Sequence, residues 1–276
     1  MITSEKMELL RSKVDADLGI KTKVICAPKN GTDCWGLSPI AYNSFCPVVY
    51  YNGESTSAYI QKVKELFDQT IPSGNFEIIK DANYLKRNTK VCVQRKSDEF
   101  IVKRPCLNLE AYLRVDVSSV FGHGDSVASV KITNAILTLA DLTADELWTA
   151  ADSNTLKSMD IESLDQLLGI NNPLMPNLFD VITTRERMYG AAALRYPDIF
   201  RDYCKSHQVD TLILIPSSIN ELLVLDAKKM VMDYAAMTQM VDDVNKAEVS
   251  ILEQLDPVVY EYVMDTNTVS IVASAR

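Results

Sequence analysis

The side chains able to make or break bonds are few in this chain and lie far apart. There are two histidines, His123 and His207, and six cysteines, Cys26, Cys34, Cys46, Cys92, Cys106 and Cys204. His123 sits between glycines that expose it, and Asp125 two residues on could orient it as a general base. Cys34 would supply a nucleophile if the fold brought its thiol to that base. Ser217 and Ser218 follow the apolar run 210–216, where open α/β sheets take ligands, but no Gly-x-Ser-x-Gly elbow surrounds them. A serine at such a place serves better as a cap, accepting a backbone N–H. No histidine or cysteine spacing matches a metal-ligand pattern, so neither a metal nor a cofactor is expected.

A phosphate-binding reading of YGAAAL, from Tyr189 to Leu194, also lacks its partners. A dinucleotide fingerprint needs three spaced glycines and a P-loop ends in Gly-Lys-Ser/Thr, and the chain contains neither. Gly190 stands alone, and the alanines after it suit a helix lying close against a sheet.

Charge offers a different kind of candidate. The net charge of −9 opposes non-specific contact with nucleic acid, yet residues 80–104 carry eight Lys or Arg against three acids. Lys86, Arg87, Lys90, Arg95 and Lys96 are the side chains that would meet phosphates or an acidic partner. Residues 221–265 show the reverse balance, ten acids against three lysines, and hold Met237 and Met240, whose adaptable thioethers suit a recognition groove. Solvated faces and core filling account for the same residues more simply.

The elements that must position these groups follow from periodicity and turn chemistry. Met7, Leu10 and Val14 mark a helix over 4–17, and Asn30-Gly31 joins two strand-like runs as a hairpin. Residues 47–51 read as a strand, and 56–69 as a helix burying Tyr59, Val63 and Phe67. Strands are expected at 89–94, 109–118 and 127–132, the second alternating Leu109, Ala111, Leu113, Val115 and Val117 against a polar face, with a turn over 121–126. Thr143 and Glu146 have capping-box spacing for a helix over 144–158. Residues 178–184 and 210–216 read as strands and 188–207 as a helix. Around Asp242 and Asp243 the residues read as helical, with Met237, Met240, Val241 and Val244 forming an apolar stripe that leaves the two acids to solvent.

The second half of the chain resembles a bacterial family of unknown function found mainly in Gram-positive gut Clostridia. The resemblance rests on Ile132-Thr133-Asn134, Glu146-Leu147, Asn154-Thr155, Tyr189 to Ala192, Tyr196-Pro197 and Pro216 to Ile219. Asn220 departs from it, standing where the family pattern commonly has histidine, so acid–base chemistry that relied on that histidine would be missing. The resemblance implies a cytosolic bacterial protein travelling with mobile elements and supplies no activity.

With 47% hydrophobic and 24% charged residues and no ~18-residue apolar run, the chain reads as soluble rather than membrane-spanning. The charged N-terminus has no signal-peptide core, which points to the cytoplasm and to free cysteines. Strands and helices do not alternate regularly, so the expected fold is α+β in one compact domain over 1–276, with a possible subdivision near 120–125. An N-terminal helix and β-meander would precede helices packed on a mixed sheet. The expected function is non-enzymatic macromolecular interaction, with an unidentified protein as partner. A hydrolase or transferase using His123 or the Ser217-Ser218 turn, and nucleic-acid binding through 80–104, are the alternatives.

Overall fold

Turn and cap residues set the first elements. In the computed structural model, which describes residues 2–40, 48–70, 76–121, 128–167, 169 and 178–274, the Thr3 hydroxyl accepts from the Lys6 N–H and opens helix α1, Ser4–Leu18. Gly19, in the left-handed region, ends that helix, and Met7, Leu10 and Val14 form its buried face. Strands β1 (Thr22–Lys29) and β2 (Thr32–Pro39) pair across Asn30-Gly31, whose φ angles of 49° and 72° are those a two-residue type I′ turn needs. Strand β3 (Val49–Tyr50) joins β2 opposite Gly36, where a Cβ would meet the Val49 carbonyl at 2.5 Å. Helix α2 (Thr56–Thr70) brings Tyr59 and Val63 onto Leu37, Val49 and the α1 face. The Phe67 side chain lies outside the described residues, as do residues 122–126 of the turn expected over 121–126.

A second unit begins with helix α3 (Ala82–Asn88), capped by Asp81, which runs straight into β4 (Thr89–Arg95). Strands β5 (Lys103–Cys106) and β6 (Leu109–Asp116), helix α4 (Ser118–Phe121) and strand β7 (Ser129–Lys131) follow. In the resulting antiparallel sheet β6 is central, with β4 along one edge and β5 and β7 sharing the other. Helices α5 (Asn134–Leu139) and α6 (Ala144–Ser158) cover its apolar face, where Val91, Val93, Ala111, Leu113 and Val115 meet Leu147, Trp148 and Ala151. Helix α6 also protects the β4 edge. Thr155 Oγ1 accepts from the Val91 N–H at 2.8 Å, and the Asn154 amide donates to the carbonyls of Lys86 and Thr89, both at 2.9 Å.

The remaining elements are β8 (Met159–Ser163), α7 (Leu164–Leu167), β9 (Asp180–Thr184), α8 (Pro197–His207), β10 (Thr211–Pro216), β11 (Leu222–Asp226), α9 (Tyr234–Glu248), β12 (Val258–Val263) and β13 (Thr268–Ser274). Their strands form one six-stranded sheet in the order β13-β12-β10-β11-β9-β8. Every pair in it is antiparallel, where a mixed sheet was expected: β9 and β10 run the same way, but β11 returns between them. The helix expected over 188–207 is two pieces, a 3₁₀ stretch Gly190–Arg195 and then α8, because Pro197 disfavours helical backbone at Tyr196 and starts a new helix at its own first position. One face of the sheet, with Leu212, Leu214, Val224 and Tyr262, shares the main core with the four-stranded sheet. The other packs Ile213, Ile215 and Val259 on Met237 and Val241 of α9. The stripe on α9 keeps Met237 and Val241 of the expected residues, with Thr238 buried beside them and Met240 only half-buried. Val244 is exposed, and Asn245 is buried instead with its amide donating to the Leu255 carbonyl at 3.1 Å. The chain is α+β.

Candidate functional site

The face of the four-stranded sheet turned away from its helices is polar and largely shielded from solvent. Strand alternation places Lys90, Cys92 and Gln94 of β4 and Glu110, Tyr112, Arg114 and Asp116 of β6 on it. The register then aligns Lys90 opposite Arg114 and Arg114 opposite Lys131, so that three cations form one row across three strands. Like charges directly opposite one another are unfavourable, and such a row persists only with compensation. Lys90 is matched by Glu186 at 2.8 Å and Lys131 by Glu99 at 2.6 Å. Arg114 has no carboxylate partner among the described residues. Its Nε donates to the Ser129 hydroxyl, and its guanidinium lies 5.0 Å from the centre of the Tyr189 ring.

Beside the row, a closed hydrogen-bond network accounts for the buried polar groups. The Gln94 amide donates to Glu99 at 3.0 Å and to Glu110 at 2.8 Å, Lys131 donates to the Gln94 carbonyl oxygen at 2.8 Å, and Lys103 pairs with Glu110 at 2.9 Å. Burial raises the Glu110 carboxyl, but hydrogen bonds from Ser97, Gln94 and Lys103 outweigh it and hold the group below its ordinary value. Each glutamate in this network therefore has its cation, and the charge there is balanced. Cys92 lies against the row but is inert as a nucleophile, since burial pushes its thiol up to about 12.

A small half-open cleft, with a cavity volume of about 40 Å³, lies over Lys90, Cys92, Arg114 and Ser129. Its opposite wall is the segment from Thr184 to Tyr189 that follows β9. Two non-glycine residues of that segment, Arg187 and Tyr189, take left-handed φ angles of 58° and 61°, a conformation that costs each roughly 1 kcal/mol or more. Tertiary bonds hold it there. Asn220 accepts from the Tyr189 N–H at 3.2 Å through its side chain and from the Gly190 N–H at 2.8 Å through its carbonyl, and Thr184 Oγ1 donates to the Met188 carbonyl at 2.7 Å. Gly190 has no room for a side chain, because a Cβ would lie 2.5 Å from both the Ile182 oxygen and the Thr183 Cα. The lone glycine thus serves close approach to β9, and its effect is to aim the Tyr189 ring at Arg114.

A further cation reaches the same region from the N-terminal sheet. The Lys29 ammonium sits 3.4 Å over the Tyr50 ring, half-buried and without a carboxylate partner among the described residues. Burial first, then the positive charges of Arg114 and Lys131, lower its amine to about 8. Cys34 and Tyr50 lie on the same side of that sheet. Burial raises the Cys34 thiol and takes the Tyr50 hydroxyl to about 12, so both stay protonated at neutral pH.

Of the residues singled out from the sequence, Lys90 lines the cleft, and Cys34 is buried in the N-terminal sheet. His123 and Asp125 lie outside the described residues. Ser217 closes the β10–β11 turn, its hydroxyl donating to Glu221 at 3.3 Å, and Ser218 accepts from the Asn220 N–H at 3.0 Å. The basic segment is largely engaged within the molecule. Lys86 pairs with Glu146 at 3.2 Å, and Arg95 binds the Asn30 carbonyl at 3.1 Å, while Arg87 and Lys96 are exposed. Met237 is 2% exposed and belongs to the core beneath α9, with Met240 half-buried beside it. The described cysteines are free thiols, and Cys46 lies outside the described residues. Among the described residues no group of three His, Cys, Asp or Glu is placed to hold a metal, and no helix is long and apolar enough to cross a membrane. Sequence reasoning missed Arg114, Lys131 and Tyr189. The polar alternation of β6 was visible, but only pairing with β4 and β7 turns Arg114 into the centre of a row.

A family model described as a family of unknown function matches residues 19–264. No curated protein and no solved structure matches the chain.

Proposed function

We propose, since the chain belongs to the DUF5688 family of unknown function, that it is a cytoplasmic bacterial recognition protein that binds the anionic group of a partner molecule in the cleft over Arg114. The observation that carries this reading is the cross-strand row Lys90, Arg114, Lys131, whose central member has an aromatic ring and a hydroxyl where its neighbours have carboxylates. A planar guanidinium beside a cleft matches phosphate or carboxylate in shape and charge. Asp116 and Glu186 also line the cleft, so the positive charge an anion would meet there is centred on Arg114 alone.

This reading replaces a broad basic surface with one site, and the partner unit is a small anionic group rather than a nucleic-acid backbone. Lys86 and Arg95 support it only indirectly, since both are already bonded within the molecule. The test is calorimetric titration with inorganic phosphate and with a simple phosphate monoester at low ionic strength. Arg114→Gln should weaken binding at least about thirtyfold, the ~2 kcal/mol typical of removing one member of a desolvated charge pair. Equal affinity in the variant, or no binding of either anion by the native protein, would reject the reading.

A further inference from the structure

Two cross-strand rows of side chains meet in the cleft, and they differ in sign. One is the cation row of Lys90, Arg114 and Lys131. The next row, one strand repeat or about 6.7 Å further along, sets Asp116 opposite Ser129 of β7. Asn88, which directly precedes the Thr89–Val115 pair, extends that row on the β4 side. Asn88, Asp116 and Ser129 all line the cleft together with Lys90 and Arg114.

Lys90 has Glu186 and Lys131 has Glu99, which leaves two charges over. Arg114 is one. Asp116 is the other: its Oδ1 accepts from the Ser118 N–H at 2.8 Å, while its Oδ2 has neither a hydrogen-bond donor nor a cation among the described residues. The Asn88 oxygen is likewise unused, since only its amide nitrogen is engaged, on the Tyr84 carbonyl at 2.9 Å. Burial falls from Cys92, 1% exposed, through half-buried Lys90 and Arg114 to exposed Asp116. The inner end of the cleft is therefore cationic and its mouth anionic. An anion alone is drawn to Arg114 and repelled by Asp116, whereas a molecule with both charges finds a partner at each end.

We infer that the cleft takes a small zwitterion, a phosphate joined by a short alkyl link to a primary ammonium, with the phosphate on Arg114 and the ammonium on Asp116 and Asn88. The inference rests on the anion-binding reading of the cleft and names the chemical class of what binds there. A cavity of about 40 Å³ has room for about three waters, which the terminal oxygens of one phosphate would replace. The rest of the ligand must then leave through the mouth, where the two unused acceptors lie. A primary ammonium brings three N–H donors to them.

The experiment titrates the full chain in the calorimeter with O-phosphoethanolamine and with ethyl phosphate, which keeps the phosphate and the two-carbon link and lacks the amine. At pH 7 the amine is fully charged. O-phosphoethanolamine should bind about fivefold more tightly, the upper range for an exposed ion pair. Asp116→Asn keeps an oxygen for the Ser118 N–H and so preserves the fold. It should abolish the preference, weakening O-phosphoethanolamine and tightening ethyl phosphate, whose charge no longer faces a carboxylate. Equal affinity of the native protein for the two phosphates, or a preference that survives in Asp116→Asn, would overturn the inference. If ethyl phosphate still binds in an Arg114-dependent way, the anion site stands and only the zwitterion falls; if neither phosphate binds, both fall. The same pair of groups occurs free in solution and on a phosphatidylethanolamine bilayer, so the titration is repeated over phosphatidylcholine vesicles with and without that lipid. Competition by the ethanolamine lipid assigns the pair to a headgroup and unchanged binding assigns it to a free molecule, and either result upholds the shared chemistry.

Discussion

Arg114 and Lys29 owe their properties to what is missing around them. Each is a cation set against an aromatic ring, 5.0 Å in one case and 3.4 Å in the other, while the cations beside them have carboxylates. For Lys29 the consequence is measurable in stability. Its folded value near 8 lies below the unfolded value near 10.4, so the unfolded chain holds more protons between those limits. The native state then pays for the buried charge at all pH below about 8, and the cost disappears as pH rises toward 10.4. Against Lys29→Met, the wild-type protein should gain up to about 3 kcal/mol between pH 8 and 10.5 in denaturant titrations. A gap independent of pH would show that Lys29 is fully solvated.

Among the elements, α6 and the β9–α8 connection show how local chemistry places the site. Thr143 Oγ1 accepts from the Glu146 N–H at 3.2 Å while the Glu146 carboxylate accepts from the Thr143 N–H at 3.0 Å, closing a capping box. The Thr143 N–H, then its hydroxyl, then Lys86 hold the Glu146 carboxyl down at about 2. The stabilisation this carboxylate provides is present above its ordinary value near 4.5 and is lost as pH falls toward about 2. Thr143→Ala should lower stability by ~1 kcal/mol, and Glu146→Gln should flatten the acid limb of a melting-temperature profile between pH 4.5 and 2. The connection behaves differently, since its value lies in a bend. Gly190→Ala puts a Cβ into the β9 backbone, so it should cost ~1–3 kcal/mol in chemical denaturation. It should also weaken phosphate binding, because Tyr189 no longer faces Arg114. An unchanged melting curve would mean the connection is free to shift.

At the scale of the whole molecule, one residue ties three regions together. Asn30, 4% exposed, donates its amide to the Leu252 carbonyl at 3.2 Å and the Gln254 carbonyl at 2.6 Å, and accepts from the Arg95 N–H at 2.8 Å. The N-terminal hairpin is thereby held to the β4 end and to the segment before β12. Asn30→Gly retains the left-handed backbone freedom of the turn but removes the amide. It should destabilise the fold by ~1–3 kcal/mol in chemical denaturation. An unchanged denaturation midpoint would show that the hairpin is held by other contacts.

Sequence alone determined the local structure wherever a short-range rule applies: the Asn30-Gly31 hairpin, the Thr143–Glu146 box, the Met7, Leu10 and Val14 face, and the alternation of β6. These depend on backbone preference and on which face must avoid water, both written in neighbouring residues. The split at Pro197 was written there too, but the alanine run overshadowed it. Tertiary structure alone decided the site. Register across β4, β6 and β7 sets Lys90, Arg114 and Lys131 side by side, and Asn220, thirty-one positions beyond Tyr189, fixes the bend that faces them. The basic run of 80–104 likewise gained its meaning from distant acids, Glu146 and Glu186, that pair with Lys86 and Lys90. Charge count is a property of composition, whereas an unpaired cation is a property of position, and only folding assigns positions.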